Sequence, residues 1–349
     1  MSLSFLSPAQ AKFSRPLART AGASTILSAA AAGMSSGETL SLTGGNLPGG
    51  LNLFTHQAGS AGVSGYTTKI ARDVAGKRMF HIGSDHGVSQ FFVVFSEENH
   101  EWTLQTETPF AAATKHGYEH TTYDELNGKL YHRPYAAQSL YRWDGGGTWT
   151  EFSHTSIVNY STSRGCIEWF PEMSRIICTQ NNGSGTNGIC FGFNPASGTF
   201  ESYESGGVLS AFGEGEYWAR YSQQGACVVF GSSASGNIYK INSSGVVSLI
   251  SDNRPGDVSG IGPGGEGSAL PFINPSNGNL VVIDTSSIWY DYNISTGTWS
   301  AKGGSAPAMS GRSDPFAITS CTLFEYGVVS FVRGDQPGSS DATMYLWKP

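Results

Sequence analysis

The chain has 349 residues, of which 46 are Gly and 15 are Pro, so about one residue in six favours a turn. Charged residues make up only 13%, roughly half the usual share, and this composition excludes a helical bundle or a long coiled coil. The 12% of aromatic residues supply apolar surface for a core and exclude a disordered Gly/Ser polymer. The net charge of −7 argues against a surface that binds nucleic-acid phosphates. Short strands joined by tight turns are therefore predicted.

The first segment, residues 1–37, differs in kind from the rest of the chain. It contains no acidic residue, and Lys12, Arg15 and Arg19 give it a charge of +3, which leaves −10 (−7 minus 3) for residues 38–349. The segment shows no sustained apolar periodicity, although the Ala-rich stretch from Ala23 to Gly33 allows a short helix with a weak apolar face. We expect an extended arm that docks on an acidic partner through its three basic residues, with a disordered leader as the alternative.

No segment predicts insertion into a membrane or secretion. No apolar run approaches the roughly 18 residues that a transmembrane helix needs. The apolar stretch Leu3 to Leu6 is too short for the core of a signal peptide.

The cysteines predict neither a disulfide framework nor a zinc site. Their number is odd and no CxxC motif is present. Buried free thiols in a reducing compartment are expected at Cys166, Cys178, Cys190, Cys227 and Cys321.

A turn motif recurs along the chain: an aromatic or apolar strand, a polar turn with Gly or Asn, and then Trp, Phe or Val at the start of a second strand. The spacings between the first anchor residues of the motif are 48, 50, 48 and 51, and these residues are Phe95, Trp143, Phe193, Ile241 and Tyr292. A second apolar strand precedes each anchor with spacings of 51, 46, 52, 53 and 47, at Phe80, Tyr131, Ile177, Val229, Val282 and Val329. A strand-rich period of about 50 residues without helical spacing predicts an all-β fold, a six-bladed β-propeller of four-stranded antiparallel blades.

The sixth unit lacks an outer strand, because only Lys348 and Pro349 follow Trp347. The segment from Glu38 to Thr43 alternates apolar and polar residues as a strand does. We expect this segment to fill the missing place, so that residues 38–349 form one closed propeller. A seven-unit ring that uses residues 44–65 is the alternative, but that stretch is Gly-rich and short for four strands.

The segment YDYNISTGTWS, from Tyr290 to Ser300, resembles the turn of Kelch and galactose-oxidase-type propellers, in which an aromatic strand, a polar turn and Thr-Trp recur in each blade. The segment from Phe191 to Phe200 is similar. The resemblance implies the propeller architecture, and a propeller by itself names no function. The Gly-Gly doublet that usually ends the second Kelch strand is absent from most units.

Two motifs are candidates for functional sites. The segment from Asp144 to Trp149 matches the core of the sialidase-type Asp-box, which is a structural turn, and we predict a turn here. On a strand, His116, Tyr118 and His120 would share one side and Glu119 would point away. The two His side chains would then lie about 13 Å apart, too far for one metal ion.

A looser cluster of the same kind is formed by His81, Asp85 and His86. No metal site, no cofactor and no catalytic residue are predicted.

The Gly/Ser/Asn-rich, charge-poor composition resembles that of bacteriophage virion proteins, especially tail or head-to-tail components. That resemblance implies a non-enzymatic structural or interaction protein, made in the host cytoplasm and present in many copies in the virion. Its partners would be other virion or assembly proteins, bound through the arm and the propeller loops. Two alternatives stay open: a carbohydrate-binding or carbohydrate-acting propeller, whose Trp and Tyr side chains near the channel would stack on sugars, and an intracellular Kelch-like adaptor.

Overall fold

The structure, a computed structural model, describes about two thirds of the chain. The described residues are 25–42, 69–83, 91–105, 119–135, 137–155, 165–181, 187–213, 215, 217–233, 235–255, 260–261, 268–283, 288–302, 318–333 and 343–349.

The described residues form six antiparallel blades, which confirms the predicted six-bladed β-propeller. The chain begins with the helix α1 (Ile26–Gly33) and the strand β1 (Thr39–Leu42). Blade 1 consists of β2 (Ala71–Asp73), β3 (Arg78–Gly83), β4 (Phe91–Ser96) and β5 (Glu101–Leu104). Blade 2 consists of β6 (Thr121–Asp124), β7 (Lys129–His132), β8 (Ser139–Gly145) and β9 (Thr148–Ser153). Blade 3 consists of β10 (Gly165–Phe170), β11 (Arg175–Asn181), β12 (Gly188–Asn194) and β13 (Thr199–Ser205). Blade 4 consists of β14 (Tyr217–Ser222), β15 (Cys227–Ser232), β16 (Ile238–Asn242) and β17 (Val247–Ser251).

The last two blades contain the departures from a plain four-strand unit. Blade 5 has β18 (Gly260–Ile261), β19 (Ser268–Ile273), β20 (Leu280–Ile283), β21 (Trp289–Asn293) and β22 (Thr298–Lys302). Blade 6 has β23 (Ile318–Leu323), β24 (Val328–Arg333), β25 (Thr343–Trp347) and, as its outer strand, β1. The two-residue strand β18 pairs in parallel with β19 and was not predicted.

The periodic anchors face each other across the outer hairpins. The first anchor of each unit pairs in register with the second, as Phe95 does with Trp102 and Trp143 with Trp149. The same register joins Phe193 to Phe200, Ile241 to Val247 and Tyr292 to Trp299. Cross-strand pairs of this kind stabilise a sheet, so the repeat seen in the sequence is the repeat of one hairpin contact.

The predicted closure is also confirmed. Strand β1 pairs antiparallel with β25 from Thr39 opposite Trp347 to Leu42 opposite Met344. Ring closure is completed on the inside, where Lys69 forms a parallel bridge with Ser320 at the junction of blades 1 and 6. Because β1 pairs with β25, the outer edge of β25 is covered and does not offer unpaired backbone groups to another chain.

Helix α1 corrects the expectation of a weak apolar face. Thr25 caps its N-terminus in a capping box with Ser28. Leu27 and Ala31, four residues apart on one face, are fully buried at the junction of blades 1 and 6. Lys348 donates hydrogen bonds to carbonyl oxygens at the C-terminal end of the helix. Residues 25–37 are therefore packed on the propeller; residues 1–24, with Lys12, Arg15 and Arg19, lie outside the described residues.

The core consists of six apolar clusters, one at each junction between neighbouring blades. Each blade buries both faces of its sheet in this way, which explains how a long chain manages with few charges. All five cysteines are free and buried in these layers or beside them, as predicted.

Gly165 at the start of β10 makes room for a buried guanidinium. An added Cβ would lie 1.6 Å from Nη1 of Arg133, whose side chain is only 1% exposed and donates a hydrogen bond to Gln180. We expect Gly165→Ala to lower the free energy of unfolding by about 1–3 kcal/mol through overpacking, measured by urea unfolding. Gly236→Ala is the matched control, because its Cβ would meet nothing closer than 3.5 Å. Equal stability of the two variants would contradict the prediction.

Candidate functional site

The inner strands of the six blades enclose a cavity of about 700 Å³ on the propeller axis. It is lined by residues of β2, β6, β10, β14, β19 and β23, together with the turns that follow several of these strands. The turn residues Val74, Glu125, Pro171, Gln223 and Glu325 form its rim. A cavity of this size suits a small organic molecule.

Two ion pairs join opposite sides of the channel, and their four residues are here called the channel quartet: Lys69, Glu119, Glu168 and Arg220. All of them except Glu119 line the cavity. Nζ of Lys69 lies 2.6 Å from a carboxylate oxygen of Glu168 and also donates to the backbone carbonyl of Ile167. Both Nη atoms of Arg220 bond the carboxylate of Glu119, one of them at 3.0 Å. The four side chains come from blades 1, 2, 3 and 4 and are at most 15% exposed.

Burial and ion pairing act in opposite directions on two members of the quartet, Arg220 and Glu168. Burial alone would lower the pKa of Arg220, but the charge and hydrogen bonds of Glu119 outweigh it and raise that pKa. Burial raises the pKa of Glu168, and the adjacent Lys69 opposes that rise. By formal charge, the two cations and the two carboxylates of the quartet balance, and pairing of this kind is the condition under which buried charges are tolerated.

A second network lies where blades 1 and 6 meet. Nε of Arg72 lies 2.7 Å from Glu97, and its Nη1 donates to Glu325 at 2.6 Å. Tyr326 donates its hydroxyl to Glu97 at 2.8 Å. Burial alone would raise the pKa of Glu325, but the hydrogen bond and charge of Arg72 outweigh it and lower that pKa. Arg72 and Glu325 line the cavity and are already paired with each other.

Glu125 is the exception among the ionisable groups of the rim. It lies on the exposed turn between β6 and β7, and its carboxylate accepts a hydrogen bond from the backbone N–H of Val74 at 3.3 Å. No ion pair involves Glu125 within the described part of the chain. Partial burial of its carboxyl raises the pKa of Glu125 to about 7, with Arg72 opposing and Asp73 and Glu325 supporting the rise. This carboxyl can therefore gain or lose a proton near neutral pH.

Aromatic side chains form much of the remaining wall, at Tyr123, Trp169, Tyr221, Phe272 and Phe324. Tyr221 and Phe324 contact each other edge to face with ring centroids 6.3 Å apart. Tyr221 donates its hydroxyl to Glu172 at 2.8 Å, so its ring is held in place at the rim. The described lining of the cavity thus combines apolar rings with one carboxylate, that of Glu125, which forms no ion pair with a described residue.

The predicted clusters of titratable residues are only partly described. His116 and Tyr118 lie outside the described residues, as do Asp85 and His86. Glu119 belongs to the channel quartet, and His120 is buried with its ring centroid 6.2 Å from that of His132. Burial lowers the pKa of His132 to about 3, so this imidazole stays neutral. Among the described residues no three His, Cys, Asp or Glu side chains are grouped to hold a metal ion.

The Asp-box segment is a structural turn, as predicted. Asp144 accepts hydrogen bonds from Arg142 at 2.7 Å and from Thr150 at 2.6 Å, and Gly145 to Gly147 all have positive φ. These contacts fix the hairpin between β8 and β9.

The channel quartet was missed in the sequence, although a signal for it exists. Its members Lys69, Glu119, Glu168 and Arg220 are spaced by 50, 49 and 52 residues, which is the blade repeat. In a chain with 13% charged residues, a charge repeated at the blade period marks a position that faces the channel.

Comparisons with known proteins show the fold. No protein-family model and no curated protein sequence matches the chain. A virginiamycin B lyase from Staphylococcus aureus is similar in structure, with a TM-score of 0.55 and 13% identity over 89% of this chain and 99% of the lyase. A streptogramin B lyase has a TM-score of 0.50 and 12% identity over 79% of this chain and 77% of its own. A protein of unknown function from Bacteroides thetaiotaomicron has a TM-score of 0.50 and 10% identity over 88% of this chain and 75% of its own.

These neighbours correct one prediction and leave others without support. The prediction that the protein is not an enzyme rested on the lack of a recognised catalytic motif, and the likeness to two lyases overturns it. The resemblance to Kelch-type repeats and to phage virion proteins is not confirmed by these neighbours. No helix in the described ranges has the length and apolarity needed to cross a membrane.

Proposed function

We propose that the protein binds a small, partly apolar molecule in the channel cavity. The observation that carries this proposal is the cavity of about 700 Å³, which is walled by aromatic rings and by the channel quartet except Glu119. Pockets that take small ligands combine mostly apolar walls with a few fixed polar groups, and this cavity has both.

Turnover of the bound molecule by proton transfer is the second candidate function. It is favoured by Glu125, whose carboxyl lies at the cavity and has a pKa of about 7. A group with a pKa near the working pH is suited to act as a general acid or base. Two lyases share this fold, so the fold is compatible with an enzyme, but identities of 12–13% show the fold alone and identify neither an activity nor a substrate.

The proposal predicts that filling the cavity mouth weakens ligand binding. Gln223 is an exposed rim residue, and Gln223→Trp would place a large ring over the opening. We expect compounds that bind the native protein in ligand-observed NMR screening to lose at least about tenfold in affinity, or roughly 1.4 kcal/mol. Ser243→Trp is the control, because Ser243 lies on the exposed turn between β16 and β17 away from the cavity. Unchanged binding in Gln223→Trp would overturn the proposal.

The other functions inferred from the sequence stay predictions. A virion component, docking through Lys12, Arg15 and Arg19, concerns residues outside the described ranges. A glycan is one of the molecules that the binding screen would include, since Trp169 and Tyr221 could stack on a sugar. An adaptor role like that of Kelch proteins has no contact among the described residues that favours it.

A further inference from the structure

The ionic groups at and around the cavity do not balance. The cations are Lys69, Arg72, Lys77, Arg78 and Arg220, and the carboxylates are Asp73, Glu97, Glu119, Glu125, Glu168, Glu172 and Glu325, so the sum is −2 (5 minus 7) when all are ionised. Each cation lies within ion-pair distance of a carboxylate. Among the described residues, Glu125 and Glu172 are the carboxylates left without a cation, and of these two only Glu125 lines the cavity.

From this imbalance we infer that the ligand of the channel cavity is a small organic cation, whose ammonium group pairs with Glu125 and whose apolar body contacts the aromatic wall. The inference rests on the proposed function. Two properties of the site support it independently: the unmatched charge and the lining rings.

The charge of Glu125 selects the sign of the ligand. An ammonium group would supply the missing partner for this carboxylate, whereas an anion would face it with every cation that the structure describes at the cavity already paired. The groups that face Glu125 are Arg72, Asp73 and Glu325. Arg72 is held by Glu97 and Glu325, so its charge is already matched.

The aromatic wall suits the body of such a ligand. Cations are attracted to the faces of Trp, Tyr and Phe rings, and the attraction strengthens where water is excluded. Tyr221 and Phe324 are partly exposed at the cavity and can offer ring surface to a ligand. Trp169 and Tyr123, which are more deeply buried, complete the apolar lining.

The test uses three aromatic probes of similar size on the full chain: benzylamine, benzyl alcohol and benzoate. Dissociation constants would be measured by saturation-transfer NMR at a pH of about 8, where Glu125 is ionised and an alkylamine is still protonated. We expect benzylamine to bind at least about fivefold more tightly than benzyl alcohol and benzoate to bind most weakly, as one partly exposed ion pair worth roughly 1 kcal/mol implies. All three should bind at least about tenfold more weakly to Gln223→Trp.

The variant Glu125→Gln tests how much the charge of this carboxylate contributes to ligand affinity. We expect this variant to bind benzylamine about five- to tenfold more weakly and benzyl alcohol as before. Glu101→Gln, on the exposed strand β5, is the matched control and should leave both affinities unchanged. Equal or tighter binding of benzyl alcohol or benzoate, or an unchanged benzylamine affinity in Glu125→Gln, would overturn the inference and leave the proposed function standing. Failure of all three probes to bind the native protein would overturn the proposed function as well.

The pH dependence provides a further readout. Below its pKa of about 7, Glu125 is protonated and cannot pair with a cation. Benzylamine affinity should therefore rise between about pH 5.5 and pH 8.5, while benzyl alcohol affinity stays level. A benzylamine profile that stays flat in the native protein, or a rise that persists in Glu125→Gln, would contradict the role of this carboxyl.

Discussion

Replacement of Arg220 by Met is expected to lower the free energy of unfolding by about 3–5 kcal/mol. The side chain of Glu119 is fully buried, and both Nη atoms of Arg220 bond its carboxylate. Without the guanidinium, a buried carboxylate keeps its desolvation cost and loses its counter-ion. The measurement is urea unfolding of the native chain and the variant under the same conditions.

Two further variants show whether the loss comes from the unpaired charge. Arg220→Met combined with Glu119→Gln removes both charges, and it should recover part of the lost stability because no buried ion remains without a partner. Arg175→Met breaks an ion pair of 2.5 Å with Glu201, which is 46% exposed, and should cost less than about 1 kcal/mol. An Arg220→Met variant as stable as Arg175→Met would contradict the structural role of the quartet.

Removal of residues 1–42 is expected to cost more than any single substitution discussed above. It deletes β1 and the helix α1, whose Leu27 and Ala31 are fully buried beside Met34 and Leu42. Burial of a large apolar side chain stabilises a protein by about 1.5–3 kcal/mol. The burial of Leu27, Met34 and Leu42 together therefore approaches the roughly 5–15 kcal/mol by which a typical domain is stable. The uncovered edge of β25 would also be open to pairing with other chains.

The shortened chain should therefore unfold at a temperature lower by at least about 10 °C, or aggregate, in a thermal melt followed by circular dichroism and light scattering. Its control is a chain that lacks only residues 1–24, because that chain retains every described contact of α1 and β1. Equal melting temperatures for the two truncations would show that β1 does not close the ring in solution.

The sequence predicted the parts of this fold that depend on contacts close in the chain. The paired anchors, such as Tyr292 and Trp299, are joined by one hairpin, so their period appears directly in the residue order. The closing strand was predictable because the sixth unit ends at Trp347 without an outer strand, and an alternating segment near the other end can complete it.

The site depends on contacts that the residue order does not specify. Lys69 pairs with Glu168, 99 residues away, and Arg220 with Glu119, 101 residues away. The blade period places these charges near the channel, but which charges meet depends on the geometry of the closed ring. For the same reason the buried face of α1 was underestimated, since the surface that covers Leu27 exists only where blades 1 and 6 come together. Composition, which suggested a virion protein, carries no information about either contact.

Each of the two ion pairs in the channel quartet joins two blades that are not neighbours in the ring. Lys69 reaches from blade 1 to blade 3, and Arg220 reaches from blade 4 to blade 2. In an open array of repeats, each unit contacts only its neighbours, and one unit can unfold while the others persist. In this protein, ion pairs across the axis connect blades whose sheets do not contact each other. Loss of any one of blades 1 to 4 would therefore leave a buried charge in another blade without its partner, which couples the unfolding of blade 1 to that of blade 3 and of blade 2 to that of blade 4.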